Sequence, residues 1–254
     1  MEPTKTIVVM PAYNAEATLE KTVRDIPEEA FDEIILVDDC SSDRTVEVAE
    51  RLGLHVIRHE NNTGYGGNQK TCYDNALEHG ADIVVMIHPD YQYDSRLLTH
   101  LCGFLSNDVC DVVLGCRIRT RREVLANGMP KWKYLSNRFL TIFENLALGQ
   151  NLGEWHTGYR AYTRRVLETI PYHANDDGFL FDTQFLVQTV HFGFRIGDVP
   201  VPVRYQEGAS SIGFRDCVSY GLGTLATVLK FHLHRMGIAR SRLFEPPEEK
   251  KKPQ

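Results

Sequence analysis

The chain has 254 residues, 43% apolar and 24% charged, with a formal net charge of -6. These are ordinary globular values that allow a core of normal size, and the length suits one large α/β domain or two small ones. An acidic balance argues against a nucleic-acid partner. No run reaches the ~18–20 apolar residues needed to span a bilayer, and no basic-then-apolar N-terminal run indicates a signal peptide. We therefore expect a cytoplasmic location, either in the cytosol or at the cytosolic membrane face.

Six cysteines are scattered along the chain without a C-x-x-C pair. Because the usual zinc-ligand spacing is missing, they are expected to be reduced thiols that are mostly buried, rather than a zinc site.

The first half of the chain alternates short apolar runs with helical periodicity. The pattern predicts strands at 6–10, 34–37, 55–58, 83–87 and 112–114, with helices between them. This βαβα order predicts an α/β fold in which a mostly parallel sheet carries helices on both faces. Ligands bind outside the carboxyl ends of the strands in such sheets, so chemistry is expected directly after each strand.

The second half is less regular. Helices are predicted at 134–148, 164–169, 181–191 and 218–236, and a strand at 199–205. We expect one α/β domain over residues 1–210, a C-terminal amphipathic helical segment over 211–244, and a disordered tail over 245–254.

Two motifs follow the first two strands. Pro11, Tyr13 and Asn14 place an aromatic ring and an amide where a flat base could stack, although a plain strand-to-helix turn has the same composition. Asp38 and Asp39 end the second strand, and two buried carboxylates are costly unless they bind something. They are suited to ribose hydroxyls or a base, and helix capping by neighbouring residues is compatible with that.

The next two motifs are a Gly-rich segment and an acidic one. Three glycines within 64–67 would let a phosphate approach the backbone, or they would form only a loop. The spacing is not that of a Walker A loop. After the fourth strand comes His88-Pro89-Asp90-Tyr91-Gln92, where Asp90 is suited to Mg²⁺ or Mn²⁺ and the ion would neutralise a leaving diphosphate.

Together these motifs resemble those of family 2 glycosyltransferases with the GT-A fold. The downstream segments 115–117, 157–162 and 196–201 are similar to the dolichyl-phosphate mannose or glucose synthase branch, and the resemblance covers about residues 5–205. It implies a Rossmann-like GT-A domain that transfers a sugar, with inversion, from a UDP-sugar or GDP-mannose to an acceptor such as a polyprenyl phosphate. For the C-terminal helix, the apolar run Val218–Leu229 fits both anchoring at a membrane interface and packing in a homo-oligomer.

The resemblance also implies residue roles. The nucleotide-sugar pocket would contain Pro11, Tyr13, Asn14, Asp38, Asp39, Lys70 and Asp90. The metal ligands would be Asp90 and Gln92, and phosphate groups would meet Arg117, Arg160 and Arg204. The family usually has an aspartate where this chain has His88, which either ligates the metal or makes a structural contact.

The acceptor decides whether a base is needed. A lipid phosphate is already an anion, whereas a hydroxyl acceptor requires deprotonation. Asp182 is the candidate base because it matches the second acid of a Glu-Asp pair in hydroxyl-acceptor relatives, with Asp176 and Asp177 as alternatives. The catalytic set is then Asp90, Asp182 and Arg117. Three hypotheses remain: a polyprenyl-phosphate transferase, a soluble transferase to a hydroxyl, and a non-catalytic nucleotide-sugar-binding protein.

A basic, aromatic stretch suggests contact with a membrane surface. Seven Arg or Lys residues against one acid lie between Arg117 and Arg138, and Trp132 is among them. This composition suits anionic head groups, and Lys133 within it is expected to meet the acceptor phosphate. The apolar side of the next helix would face lipid or pack in the core, and it comprises Phe139, Ile142, Phe143 and Leu146.

Overall fold

A computed structural model describes residues 4–204 and 214–247, with only the helical backbone of residues 214 and 215. In this part of the chain a seven-stranded sheet has the order β3-β2-β1-β4-β6-β5-β7. Its strands are β1 (Thr6–Ala12), β2 (Glu33–Asp38), β3 (His55–Arg58), β4 (Ile83–Met86), β5 (Val112–Cys116), β6 (Arg160–Thr163) and β7 (Ile196–Pro200). All pairings are parallel except those of β6, which runs antiparallel to both β4 and β5.

Helices cover both faces of this sheet. They are α1 (Leu19–Arg24), α2 (Thr45–Arg51), α3 (Gly64–Glu78), α4 (Leu98–Ser106), α5 (Arg121–Ala126), α6 (Lys131–Leu148), α7 (Arg164–Thr169), α8 (Phe181–His191) and α9 (Phe214–Arg235). Alternate residues of β1 enter opposite cores, because side chains of a strand alternate between faces. Ile7 packs with α3 and α8 residues, whereas Val8 packs with α1 and α4 residues. The predicted α/β GT-A architecture is confirmed.

Four details differ from the predictions. Strand β6 was not predicted, and the last strand is Ile196–Pro200 rather than 199–205. Helix α3 begins at Gly64, so the Gly-rich segment forms the first turn of the helix that it was expected to open, four residues before the predicted start at Asn68. The stretch after β5 contains the short helix α5, where a basic loop was expected. The six cysteines are free thiols, as expected, and four of them are buried.

Helix α9 is integrated into the main core. It packs on α6 and α8, and its Val228 and Phe231 belong to the same apolar cluster as Ile7 of β1. The predicted boundary at residue 210 falls outside the described residues, as does most of the predicted disordered tail. None of the helices described is both long and apolar enough to cross a bilayer.

Candidate active site

The carboxyl ends of β1, β2, β4 and β5 meet at one edge of the sheet, because these strands point the same way. Strand β6 begins at this edge, since Arg160 pairs with both Met86 and Leu114. The motifs after the strands therefore come together with the segment before β6. The cleft at this edge is the candidate active site.

Asp39 caps helix α3 from inside the protein. Its Oδ1 accepts hydrogen bonds from the backbone N–H and hydroxyl of Thr63 at 2.8 and 2.9 Å, and its Oδ2 accepts one from the Gly64 N–H at 3.0 Å. His59 Nδ1 lies 2.8 Å from the same Oδ1. A helix N-terminus favours an anion. In the structure this carboxylate accepts hydrogen bonds from N–H groups at the start of α3, whereas the sequence suggested that it binds ribose or a base.

The glycines at the start of α3 allow another protein segment to approach. The N–H groups of Gly66 and Gly67 donate to the Asp177 carbonyl at 2.7 and 3.2 Å. A Cβ on Gly66 would lie 2.4 Å from the Asp176 carbonyl oxygen, so only glycine fits there. The expected phosphate approach is therefore occupied by the 176–177 segment.

Lys70 belongs to this same contact. Its ammonium donates to the Asn175 carbonyl at 2.6 Å and to the Asp177 carboxylate at 2.7 Å. In this conformation Lys70 holds the 175–177 segment against α3, whereas the resemblance implied a place in the nucleotide pocket.

Asp38 and the residues after β1 lie at the same edge of the sheet. Asp38 Oδ2 accepts a hydrogen bond from the Ser41 N–H at 3.1 Å, while its buried Oδ1 has no partner within the described chain. Asn14 adopts a positive φ and binds the Ser42 N–H at 2.8 Å. Pro11 is buried at the end of β1, and the Tyr13 ring is 59% exposed. Asp38 thus has one carboxylate oxygen without a hydrogen-bond donor, whereas both oxygens of Asp39 already accept hydrogen bonds. The Tyr13 ring is accessible from solvent.

Asp90 is the accessible carboxylate after β4. It is partly exposed, and its Oδ1 accepts a hydrogen bond from the Gln92 N–H at 2.9 Å in a tight turn. The turn places Tyr91 at φ +57°. Asp90 Oδ2 and the Gln92 side chain remain available as oxygen ligands, the kind that Mg²⁺ and Mn²⁺ prefer.

Arg204 supports this turn from outside. Its guanidinium carbon lies 4.3 Å from the centre of the Tyr91 ring. The backbone N–H of Arg204 donates to the Gln92 carbonyl at 2.9 Å. Asp25 and Asp94 lie 4.0 and 3.9 Å from its Nη2. In this conformation the predicted phosphate-binding arginine is a stacking partner of the acidic motif.

His88 faces the protein interior. Its Nε2 lies 3.1 Å from the Tyr65 hydroxyl, and its ring also has a hydrogen bond with the Pro11 backbone. Burial lowers the pKa of this imidazole, although the nearby Asp90 charge acts in the opposite direction. A Cβ on Gly158 would lie 2.6 Å from His88 Cδ2. These contacts favour a structural role for His88 over metal ligation.

Asp182 lies at the centre of a buried polar network. Its Oδ2 accepts a hydrogen bond from the Tyr65 hydroxyl at 2.8 Å, and its Oδ1 accepts one from the Gln69 amide at 3.1 Å. Nη1 of Arg160 is 2.9 Å from the same Oδ1. The predicted base is thus an ion-paired carboxylate.

Arg160 is fully buried in the described structure, although it was predicted to meet phosphate. Its Nε donates to the Thr157 carbonyl at 2.6 Å. Burial by itself would lower the pKa of Arg160, but the Asp182 charge and neighbouring tyrosines raise it well above its ordinary value. Strand β6 carries Arg160 into the interior because it is central in the sheet, between β4 and β5.

Arg117 follows β5 and is held in place by Glu154. The Glu154 carboxylate is fully buried, and it accepts hydrogen bonds from the Arg117 N–H at 2.8 Å and Nε at 2.9 Å. The guanidinium also binds the carbonyl of His156. Asn137 of α6 donates to the same carboxylate at 2.9 Å.

Lys133 brings a second positive charge close to Arg117. It is partly buried, and it forms no ion pair within residues 4–204 and 214–247. Burial, and then the charge of Arg117, lower the pKa of its ammonium. Because an incompletely compensated cation beside another is unfavourable, the arrangement suits a bound anion.

Sequence reasoning missed several supporting residues. Tyr65, Gln69 and Glu154 orient the predicted ones, and no local motif signals them because their partners are distant in the chain. Gly158 lies within the motif at 157–162, and the structure explains why a glycine is needed there: the His88 ring leaves no room for a Cβ.

Comparison with known proteins identifies the family of this chain. The family model for glycosyl transferase family 2 matches residues 7–171, which is more than half of the chain. Over 240 residues the chain is 25% identical to a UDP-N-acetylglucosamine–dolichyl-phosphate N-acetylglucosaminyltransferase of Methanococcus voltae, covering 88% of this chain and 95% of that protein. It is 26% identical over 211 residues to a polyprenol monophosphomannose synthase of Mycolicibacterium smegmatis, covering 80% and 78%.

Solved structures show the same fold. Glucosyl-3-phosphoglycerate synthase of Mycobacterium tuberculosis, in complex with Mn²⁺, UDP and glucosyl-3-phosphoglycerate, aligns with a TM-score of 0.67 and 22% identity, covering 94% of this chain and 82% of that one. The present chain belongs to glycosyl transferase family 2 and is a glycosyltransferase.

Proposed function

We propose that this glycosyltransferase moves a sugar from a nucleoside diphosphate to a polyprenyl phosphate, with inversion at the anomeric carbon. The observation that carries the acceptor assignment is the pair Arg117 and Lys133, two partly buried cations at the carboxyl edge. Within the described residues Lys133 forms no ion pair, and the nearby Glu154 carboxylate is bound directly to Arg117. A phosphate monoester supplies the missing negative charge. The two relatives named for dolichyl-phosphate and polyprenol transfer support the same acceptor class.

The donor would occupy the side of the cleft formed after β1 and β2. The unpartnered Oδ1 of Asp38 would accept a hydrogen bond from the nucleoside, and the exposed Tyr13 ring would stack on its base. Asp90 and Gln92 would hold a divalent ion, Mg²⁺ or Mn²⁺, which supplies charge neutralisation for the departing diphosphate when bound. The structural neighbour was solved with Mn²⁺ and UDP, which supports the use of a divalent ion. His88 would support the turn without ligating the ion.

No general base is required by this proposal. Both carboxylate oxygens of Asp182 already accept hydrogen bonds, and Arg160 balances its charge. Because protein donors occupy both oxygens, neither is free to take a proton from a hydroxyl, which disfavours a hydroxyl acceptor. An anionic phosphate oxygen attacks C1 of the sugar directly, the bond from C1 to the nucleoside diphosphate breaks, and no proton moves. Arg117 would orient the attacking phosphate.

Helix α6 supports a peripheral position at the cytosolic membrane face. It buries polar residues, including Asn137 and Glu144, the latter 3.1 Å from His156 Nε2. Its opposite face is apolar and exposed, and consists of Leu135, Phe139, Ile142 and Leu146. The buried face of α6 is mixed, since it also includes Leu140 and Leu148. A helix that presents a second, apolar face to solvent is suited to lie in a membrane interface. Of the side chains predicted to face lipid, Phe143 alone packs partly against the core.

The direct test is transfer by the purified protein from UDP-glucose, UDP-N-acetylglucosamine or GDP-mannose, with and without Mn²⁺. We expect one donor to give Mn²⁺-stimulated product with polyprenyl phosphate in detergent and none with the matching polyprenol. Transfer to polyprenol or 3-phosphoglycerate, with none to polyprenyl phosphate, would contradict the acceptor assignment.

A further inference from the structure

Glu33, His55 and His79 form a cluster at the edge of the sheet opposite the active site. Glu33 begins β2, His55 begins β3, and His79 ends α3, so two parallel strands and an antiparallel helix bring them together. One donor atom from each lies within 4.8 Å of the other two. His79 Nδ1 is 2.9 Å from Glu33 Oε1, and the rings of His55 and His79 are 4.7 Å apart in an edge-on arrangement.

Two imidazoles and one carboxylate are a suitable ligand set for Zn²⁺ and related transition ions. Zinc binds such donors at about 2.0–2.2 Å, so tetrahedral ligand atoms lie about 3.3–3.5 Å apart. The distance between His79 Nδ1 and Glu33 Oε1 is already close to this, and the His55 side chain is exposed. Small side-chain rotations would therefore bring the three donors to one ion.

Lys5 orients the carboxylate for one ligand bond. Its ammonium lies 3.5 Å from Glu33 Oε2 and donates to the His79 carbonyl at 2.8 Å. The two oxygens of Glu33 are thus divided, with Oε2 facing the lysine and Oε1 facing His79. A carboxylate whose second oxygen is held by a neighbour is typical of an oriented metal ligand.

We propose that Glu33, His55 and His79 form a second metal site, for a zinc-class transition ion, separate from the Asp90 turn. The ion would take the place of the hydrogen between His79 Nδ1 and Glu33 Oε1, and His79 would then carry its hydrogen on Nε2. Water completes the coordination. The site links β2, β3 and α3 at the ends opposite Asp38 and the Gly-rich start of α3, so its effect is to stabilise the donor side of the fold.

The test is calorimetric titration of Zn²⁺ into a parent protein that carries Asp90→Asn, because this substitution removes the ligand carboxylate proposed for the other site. The further substitutions are made in this parent. We expect one binding event that weakens at least ~10-fold in His55→Ala, because loss of a ligand costs no less than loss of a residue that orients one. The matched control is His100→Ala, an exposed histidine on α4, which should bind Zn²⁺ as the parent does. Unchanged binding in His55→Ala, or no binding in the parent, would overturn the proposal.

Co²⁺ provides a second measurement that distinguishes histidine from cysteine ligands. The parent protein should develop the visible bands of a bound Co²⁺ ion without a thiolate charge-transfer band, and Zn²⁺ should abolish them. Zn²⁺ should also raise the Tm of the parent and not that of His55→Ala. A thiolate band, or equal Tm shifts in both proteins, would assign the metal elsewhere. None of these measurements depends on sugar transfer, so the second site stands or fails separately from the proposed function.

Discussion

Nη1 of Arg160 lies 2.9 Å from Oδ1 of Asp182, and the two side chains are 0% and 12% exposed. Asp182 also receives hydrogen bonds from Tyr65 of the first turn of α3 and from Gln69 one turn later. A single carboxylate therefore connects β6, α3 and α8 beneath the active site. Removing either charge leaves the other buried without compensation, which is a larger penalty than the pair's own net contribution.

We expect Asp182→Asn to lower the free energy of unfolding by about 3–5 kcal/mol. Arg160→Gln should have a similar effect, and the double variant should lose less than the sum, because no buried charge is left unpaired. Urea unfolding of the four proteins measures this cycle. The control is Glu20→Gln, which removes the partly exposed carboxylate that pairs with Arg24 and Arg51 and should cost no more than about 1 kcal/mol.

The folded fraction of Asp182→Asn also tests the mechanism. Transfer to polyprenyl phosphate should persist in it, because a phosphate acceptor needs no deprotonation. Complete loss of transfer in a protein whose fold and Mn²⁺-dependent nucleotide binding are intact would show that Asp182 acts in the reaction.

The proposed metal site predicts different effects for substitutions of Asp90 and His88. Asp90→Asn should abolish the Mn²⁺-dependent Tm increase caused by UDP or GDP, because an amide is a poorer ligand than a carboxylate for a hard ion. His88→Gln should retain most of that increase, because the His88 ring contacts Tyr65 and the Pro11 backbone. Equal losses in the two variants would indicate that a His88 nitrogen ligates the ion.

The sequence was sufficient for the parts of the site that depend on one strand. Buried apolar runs identify β1 to β5, and parallel strands must end at one edge, so Asp38, Asp90 and Arg117 could be placed at the cleft in advance. Strand β6 could not be, because its four residues include Arg160 and its partners β4 and β5 lie far away in the chain.

Carboxylate roles were harder to predict because capping here is non-local. Asp39 binds Thr63 and Gly64, which lie 24 and 25 positions later. The glycines after β3 suggested a phosphate loop, yet their N–H groups bind the carbonyl of Asp177, more than a hundred residues later in the chain. A single sequence gives the residue types, whereas the choice between ligand and protein partner depends on which segments the fold brings together.

The exposed apolar face of α6 should control membrane binding. The double variant Phe139→Ser with Leu146→Ser should reduce co-sedimentation with vesicles containing anionic lipid by at least ~10-fold, since each such side chain contributes up to about 1.5–3 kcal/mol on burial. Val109→Ser, which alters an exposed apolar residue outside α6, is the matched control and should bind as the parent does. Equal binding of all three proteins at low salt would contradict a membrane role for this face.

The acceptor site makes a prediction about pH. The pKa of Lys133 is lowered by burial and by the charge of Arg117, so its ammonium loses its proton at a lower pH than an ordinary lysine. Its charge is present below that pKa and is lost as the pH rises through it. The KM for polyprenyl phosphate should therefore rise in the alkaline range, before the usual lysine value of about 10.4.

Two substitutions distinguish this charge from other alkaline effects. Lys133→Arg keeps a permanent cation, so its KM for polyprenyl phosphate should stay flat over the range in which that of the parent rises. Lys133→Met should raise the KM about 10-fold even at neutral pH, since a hydrogen bond to a charged group contributes about 1.5 kcal/mol or more. In both variants the KM for the nucleotide sugar should be unchanged, because Lys133 lies with Arg117 on the acceptor side. A parallel rise in the two KM values of Lys133→Met would place the lysine at the donor instead.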